Sequence, residues 1–181
     1  MIKSKKKNYL IFAFYDRMGI LDFHVIESLK KYSSQFSIIF VSDGKIKSKD
    51  KKKIDFVEKI ITKEHKEMDF GSWKLGLNFL KNKKVENILL VNDSIIGPFV
   101  DIRKIFDSMR NKKVDFWGIT SAGAENEFHI QSYFLYFKKK CIKSRFFRNF
   151  FLNIKKQKSK AELVKQYEIG LTQGLISNGM K

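Results

Sequence analysis

The stretch Asn87–Phe99, NILLVNDSIIGPF, constrains this chain more than any other. Ile88, Leu89, Leu90 and Val91 form an unbroken apolar run. The run is too short for a helix, and its lack of alternation suits a central strand of a parallel sheet covered on both faces. It stops abruptly at Asn92-Asp93-Ser94. Open α/β sheets bind their ligands outside the carboxyl ends of the strands, so Asp93 is the first candidate for a metal or diphosphate contact. The same residues also suit a plain turn, and Gly97-Pro98 bends the chain before a helical pattern resumes.

The surrounding chain bears on that choice. Its 181 residues are enough for a single domain with a sizeable core. An apolar content of 43% excludes a disordered chain. The lone Cys141 cannot form an internal disulfide or a thiolate metal site, which fits a reducing, cytoplasmic setting. No apolar run approaches the ~20 residues of a membrane span. The basic-then-apolar N-terminus superficially resembles a signal peptide, but Tyr9–Tyr15 ends at Asp16-Arg17 without a small-residue cleavage pattern and reads as a first buried strand. A formal charge of +18 implies an anionic partner: sugar-nucleotide phosphates, lipid headgroups or nucleic acid. Much of it sits in the lysine runs Lys5–Lys7, Lys51–Lys53, Lys138–Lys140 and Lys155-Lys156, which equally read as solvated loops and helix faces.

Along the chain, strands are expected at Tyr9–Tyr15, Phe36–Val41, Val57–Thr62, Asn87–Val91, Val114–Thr120 and His129–Phe137. Helices are expected around Phe23–Tyr32, over Trp73–Leu80 with Ser72 as N-cap, through Ile102–Met109, along Ile142, Phe146, Phe150 and Ile154, and over Ala161–Gly170. Lys45–Lys53 reads as a charged loop or helix start. This alternation predicts a three-layer α/β domain with a mostly parallel sheet. Three strands end in polar residues, at Asp16, Asp43 and Asn92-Asp93-Ser94. Parallel strands bring these ends to one edge, which favours a lined crevice over three unrelated turns. There is no GxGxxG and no P-loop sequence, which counts against dinucleotide binding and ATP hydrolysis.

Five segments in order, DFGSWKLGL (Asp69–Leu77), ILLVNDSIIGPF (Ile88–Phe99), VDFWGIT (Val114–Thr120), HIQSYFLYF (His129–Phe137) and YEIGLT (Tyr167–Thr172), resemble the rhamnan synthesis protein F family of bacterial polysaccharide glycosyltransferases. The resemblance implies a GT-A-like nucleotide-diphospho-sugar transferase fold. It also implies an inverting transfer of a sugar, rhamnose by the family's name, to a cell-surface glycan on a lipid carrier, at the cytoplasmic face of the inner membrane. On this resemblance Asn92-Asp93-Ser94 takes the metal-motif position, with a single Asp93 where paired aspartates are usual. One carboxylate suffices for Mg²⁺ or Mn²⁺ when donor phosphates complete the shell. Asp69, Gly71 and Lys74 would face the donor, and Tyr15, Asp16, Ser42 and Asp43 its nucleotide end. Glu168 would be the base that deprotonates the acceptor hydroxyl. Trp117, His129, Gln131 and Tyr167 would meet the acceptor, with His129 a second candidate metal contact. Related transferases usually carry more acceptor-binding structure, so the single domain over residues 1–181 is either minimal or part of a longer protein.

Each assignment has a structural counterpart. Lys74 also reads as a surface lysine, Asp43-Gly44 as a turn pair, Glu168 as a surface carboxylate, His129 as a satisfied polar residue and Trp117 as core. The basic aromatic stretch Arg145–Phe151 reads either as an amphipathic helix on an anionic membrane or as a core-facing phenylalanine stripe with a solvated basic side. The alternative for the whole chain is a non-catalytic basic module binding nucleic acid or an anionic surface. Charge favours that module; the clustered polar strand ends favour the transferase.

Overall fold

The computed structural model describes residues 7–181. Lys5 and Lys6 of the first lysine run lie outside the described residues, as does the start of the signal-like N-terminus. The chain runs β1 (Asn8–Phe14), α1 (Phe23–Ser33), β2 (Ser37–Ser42), α2 (Ser48–Lys51), β3 (Lys59–Thr62), α3 (Met68–Leu80) and β4 (Asn87–Asn92). It continues through α4 (Ile102–Arg110), β5 (Phe116–Gly118), β6 (Ser121–Ala122), β7 (His129–Ile130), β8 (Phe134–Lys138), α5 (Lys139–Lys143) and α6 (Arg145–Leu152). The last helical stretch is α7 (Lys160–Leu163), a π-helical segment Val164–Ile169, and α8 (Gly170–Ser177).

The main sheet has six strands in the order β3-β2-β1-β4-β8-β5. β3, β2, β1 and β4 are mutually parallel, and β8 runs against both of its neighbours. Alternate side chains build the two cores. Ile11 and Leu90 point to the face covered by α3, α6 and α8, whereas Leu10, Phe12, Leu89 and Val91 point to the face covered by α1 and α4. The expected three-layer, mostly parallel α/β architecture is therefore what the chain adopts. The hydrophobic demand of an unbroken run such as Ile88–Val91 is met because each successive residue finds a different core.

Several local expectations are corrected. Asp69, Gly71 and Ser72 do not precede α3 but lie within it; Glu67 holds the N-cap position and Ser72 is buried. The stretch His129–Phe137 is two strands in different sheets, separated at Gln131–Tyr133, because β7 pairs with β6 while β8 pairs with β4. Only Phe116–Gly118 of Val114–Thr120 is strand in the main sheet. The basic aromatic helix is broken at Ser144, whose side chain accepts from the Phe147 N–H at 3.1 Å and so caps α6. Phe147 and Phe151 are buried, and Phe146 and Phe150 pack against the same core, so the α6 phenylalanines form a core stripe. Among the described residues no helix is long and apolar enough to cross a membrane.

Candidate functional site

The strand order places a topological switch between β1 and β4, the position where open α/β sheets leave a crevice at their carboxyl edge. Asp93 sits directly on it. Its Oδ2 accepts a hydrogen bond from the Tyr15 backbone N–H at 3.0 Å, closing the gap between the ends of the two strands. Burial pushes the Asp93 carboxyl above its ordinary range; the Tyr15 bond works against that, and the nearby Asp16 charge adds to it.

Helix α3 delivers the second acid. It lies tight against β1 because Gly76 has no side chain: a Cβ there would collide with the Ile11 side chain. The Trp73 indole N–H donates to the Val91 carbonyl at 3.1 Å, pinning the helix to the last turn of strand before Asn92. Asp69 lies one helical turn before Trp73 on the same face. It therefore arrives beside Asn92, whose amide donates to Asp69 Oδ2 at 2.7 Å, while Asn92 Oδ1 accepts from the Ser94 N–H at 3.2 Å. Burial raises the Asp69 pKa from 3.8 to about 6; the Asn92 bond lowers it, the Asp93 and Glu168 charges raise it, and Lys160 lowers it. Asp69 thus senses both Asp93 and Glu168, which links three carboxylates of distant sequence position to one environment.

The third acid comes from the π-helical segment Val164–Ile169, an irregularity often found at functional sites. Glu168 Oε1 accepts from the Ser132 hydroxyl at 2.8 Å, and its Oε2 stands 3.6 Å from His129 Nε2. His129 Nδ1 is 2.7 Å from the Glu127 carbonyl, which requires a proton on Nδ1. The remaining nitrogen, Nε2, is turned to Glu168 and pairs with that carboxylate only when the ring carries a second proton. Thr172, one turn beyond Glu168, accepts from the Ile130 N–H at 3.1 Å and holds the helix to β7.

Other predicted residues have different placements. Tyr15 is 63% exposed beside Asp93. Asp16 organises the loop after β1, its Oδ1 accepting from the Met18 and Ile20 N–H groups at 2.9 and 2.8 Å. Ser42 is buried at the end of β2. Asp43 accepts from the His65 N–H at 2.8 Å and from the Lys66 N–H, bracing the left-handed residues Lys66 and Met68 that lead into α3. Gly71 leaves room for the His65 ring, which a Cβ would strike. The Lys74 ammonium is occupied by Glu67 at 2.8 Å and by the Ile154 carbonyl at 2.8 Å, so its contacts here are structural. Trp117 packs against Phe106, Phe134 and Tyr136 in the core, the second of its two readings. Gln131 bonds Thr120, and the buried Tyr167 directs its hydroxyl to Lys155 and Gln157. Nearly all of the Trp117 and Tyr167 side chains is enclosed.

Ser132, His65 and Lys160 were not among the expected site residues. Ser132 looks like a strand interior position, and only the break between β7 and β8 turns it toward Glu168. No group of three or more His, Cys, Asp or Glu side chains able to hold a metal ion occurs among the described residues. The donor set instead suits an ion completed by a ligand. Asp69 and Asp93 are both held toward their protonated forms, and each would be relieved by added positive charge.

The family described as Rhamnan synthesis protein F matches residues 38–181. Virulence protein VirA of Vibrio anguillarum is 33% identical over 97 residues, covering 51% of this chain and 30% of that protein. Uncharacterized protein y4gN of Sinorhizobium fredii is 22% identical over 176 residues, covering 94% of this chain and 46% of that protein. The chain thus spans less than half the length of these relatives. The solved mannosyltransferase Ktr4p of S. cerevisiae superposes with a TM-score of 0.47 at 9% identity, over 91% of this chain and 62% of that one. At that distance the likeness carries no weight for function.

Proposed function

Since the chain belongs to the rhamnan synthesis protein F family, a glycosyltransferase-like family, we propose that it transfers a sugar from a nucleotide-diphosphate donor to a polysaccharide acceptor. The observation that supports this reading is the meeting of acids at the β1–β4 switch point, Asp93 bonded to the Tyr15 N–H at 3.0 Å and Asp69 to the Asn92 amide at 2.7 Å. In an inverting transfer the acceptor hydroxyl attacks the anomeric carbon as the donor diphosphate leaves. Glu168, steadied by Ser132 and flanked by His129, takes the hydroxyl proton. Asp93 and Asp69, with Asn92 and Ser94 beside them, form the donor end, and Tyr15, Asp16, Ser42 and Asp43 the nucleotide side. Asp93, together with donor phosphates, would hold Mg²⁺ or Mn²⁺, which would supply positive charge to the leaving diphosphate. His129 and Gln131 stand on the acceptor side. Rhamnose as the sugar, a lipid-linked glycan as the acceptor, and work at the cytoplasmic face of an anionic membrane complete the proposal.

The test is a panel of nucleotide sugars, with hydrolysis or transfer detected in the presence and absence of Mn²⁺. Turnover of one donor that disappears in Glu168→Gln supports the reading. Binding to nucleic acid that falls steeply with salt and ignores every nucleotide sugar would replace it with the basic-module alternative.

A further inference from the structure

At the opposite end of β4 from the crevice, the C-terminal half of α3 and helices α5 and α6 enclose a groove of about 780 Å³. Its accessible floor is apolar, formed by half-buried Leu75, Leu77, Val85 and Ile142, with the enclosed Phe147 and Phe151 behind them. Exposed Leu152, with 70% of its surface open, stands on its wall. The lining contains lysines and an arginine but no acidic side chain. Lys74, Lys83 and Lys139 are paired with Glu67, Glu58 and Glu86. Among the described residues Lys81, Lys84, Lys143 and Arg148 form no direct ion pair; Lys84 lies within electrostatic reach of Glu86, which is already bonded to Lys139, so the four cations border an apolar trough with little protein counter-charge.

We propose that this groove seats an anionic glycerophospholipid at a membrane surface, with an acyl chain against the apolar floor and the headgroup phosphate among Lys81, Lys84, Lys143 and Arg148. A single molecule of that class satisfies both halves of the groove, hydrocarbon below and cations above. Single-stranded nucleic acid would satisfy only the cations, since such binding also draws on exposed aromatic faces for stacking, and Phe147 and Phe151 are almost fully enclosed. The proposal deepens the membrane-facing part of the sugar-transfer reading and names its surface. It also relocates that contact: α6 meets lipid through the groove it shares with α3, while its phenylalanines remain packed in the core.

The experiment is flotation of the full chain with phosphatidylglycerol vesicles and with phosphatidylcholine vesicles. Lys143→Glu/Arg148→Glu is compared with Lys112→Glu/Lys113→Glu, an equal charge change at exposed positions beyond α4. The expected result is binding to phosphatidylglycerol alone, weakened at least about ten-fold by the groove pair and little by the distant pair. Equal loss from both pairs would reduce the effect to general charge and overturn the proposal. Leu152→Trp supplies the second reading. Its fluorescence should be quenched by vesicles whose acyl chains carry bromine and left unchanged by soluble glycerol phosphate; unquenched fluorescence on bound vesicles overturns the acyl seat. Thermal protection by nucleoside diphosphate should survive in the groove pair. If the unaltered chain lacks that protection but still floats, the sugar-transfer reading falls and the groove stands.

Discussion

The Asn92 amide donates to Asp69 Oδ2 at 2.7 Å, joining the end of a buried strand to the first turn of the helix that covers it. The bond brings an acid from α3 into the line of polar residues that closes β4. It also leaves Asp69 desolvated near two other carboxylates.

A pH dependence of stability follows from this. Asp69 titrates at about 6 in the folded chain against 3.8 ordinarily, so folding strengthens its hold on the proton. Its contribution is fully present below the ordinary value and is lost as pH rises through about 6. Urea denaturation across that window should show stability falling by up to about 3 kcal/mol on account of this group. Asp69→Asn should flatten the fall, leaving the smaller slope due to Asp93, which is shifted the same way. An unchanged slope in the variant would remove Asp69 as its source.

The docking of α3 predicts an effect contrary to helix propensity. Alanine normally favours a helix over glycine by about 1 kcal/mol. Gly76→Ala should nevertheless destabilise, by roughly 1–3 kcal/mol, because the added methyl meets Ile11. Gly170→Ala is the control: its nearest contacts would be at 3.8 and 3.9 Å, ordinary packing, so it should be neutral or stabilising. Thermal melts of the two variants check the difference.

Glu168→Gln keeps the shape of the side chain and an acceptor for Ser132. It should leave donor binding intact and lower kcat by roughly 10²–10⁴-fold. Ser132→Ala should lower kcat roughly ten-fold, through loss of a hydrogen bond to a charged group. Full turnover in Glu168→Gln would assign the base elsewhere.

The architecture was legible wherever local pattern and environment agree. Ile88–Val91 announces a strand covered on both faces, and the polar ends of β1, β2 and β4 meet at one edge because parallel strands force them to. The start of α3 was misread because Asp69, Gly71 and Ser72 have turn chemistry. The helix holds them because Asn92 and His65 bond Asp69 and Ser72. Pairings across long separations left no local trace. Ser132 meets Glu168 only after β7 and β8 part, and Lys74 reaches the Ile154 carbonyl only once the chain beyond α6 has packed. Trp117 and Tyr167 carry the chemistry of sugar contacts, and their burial was fixed by tertiary packing that the spacing of residues does not encode.

The most direct measurement is the thermal shift produced by a nucleoside diphosphate, with and without Mn²⁺, in the unaltered chain and in Asp93→Asn. That substitution retains an oxygen for the Tyr15 N–H, so the strand ends stay joined. The unaltered chain should be stabilised, more so with Mn²⁺, and Asp93→Asn should lose the Mn²⁺-dependent part. Equal stabilisation of both proteins, or none in the unaltered chain with any nucleoside diphosphate, would contradict a donor site at Asp93.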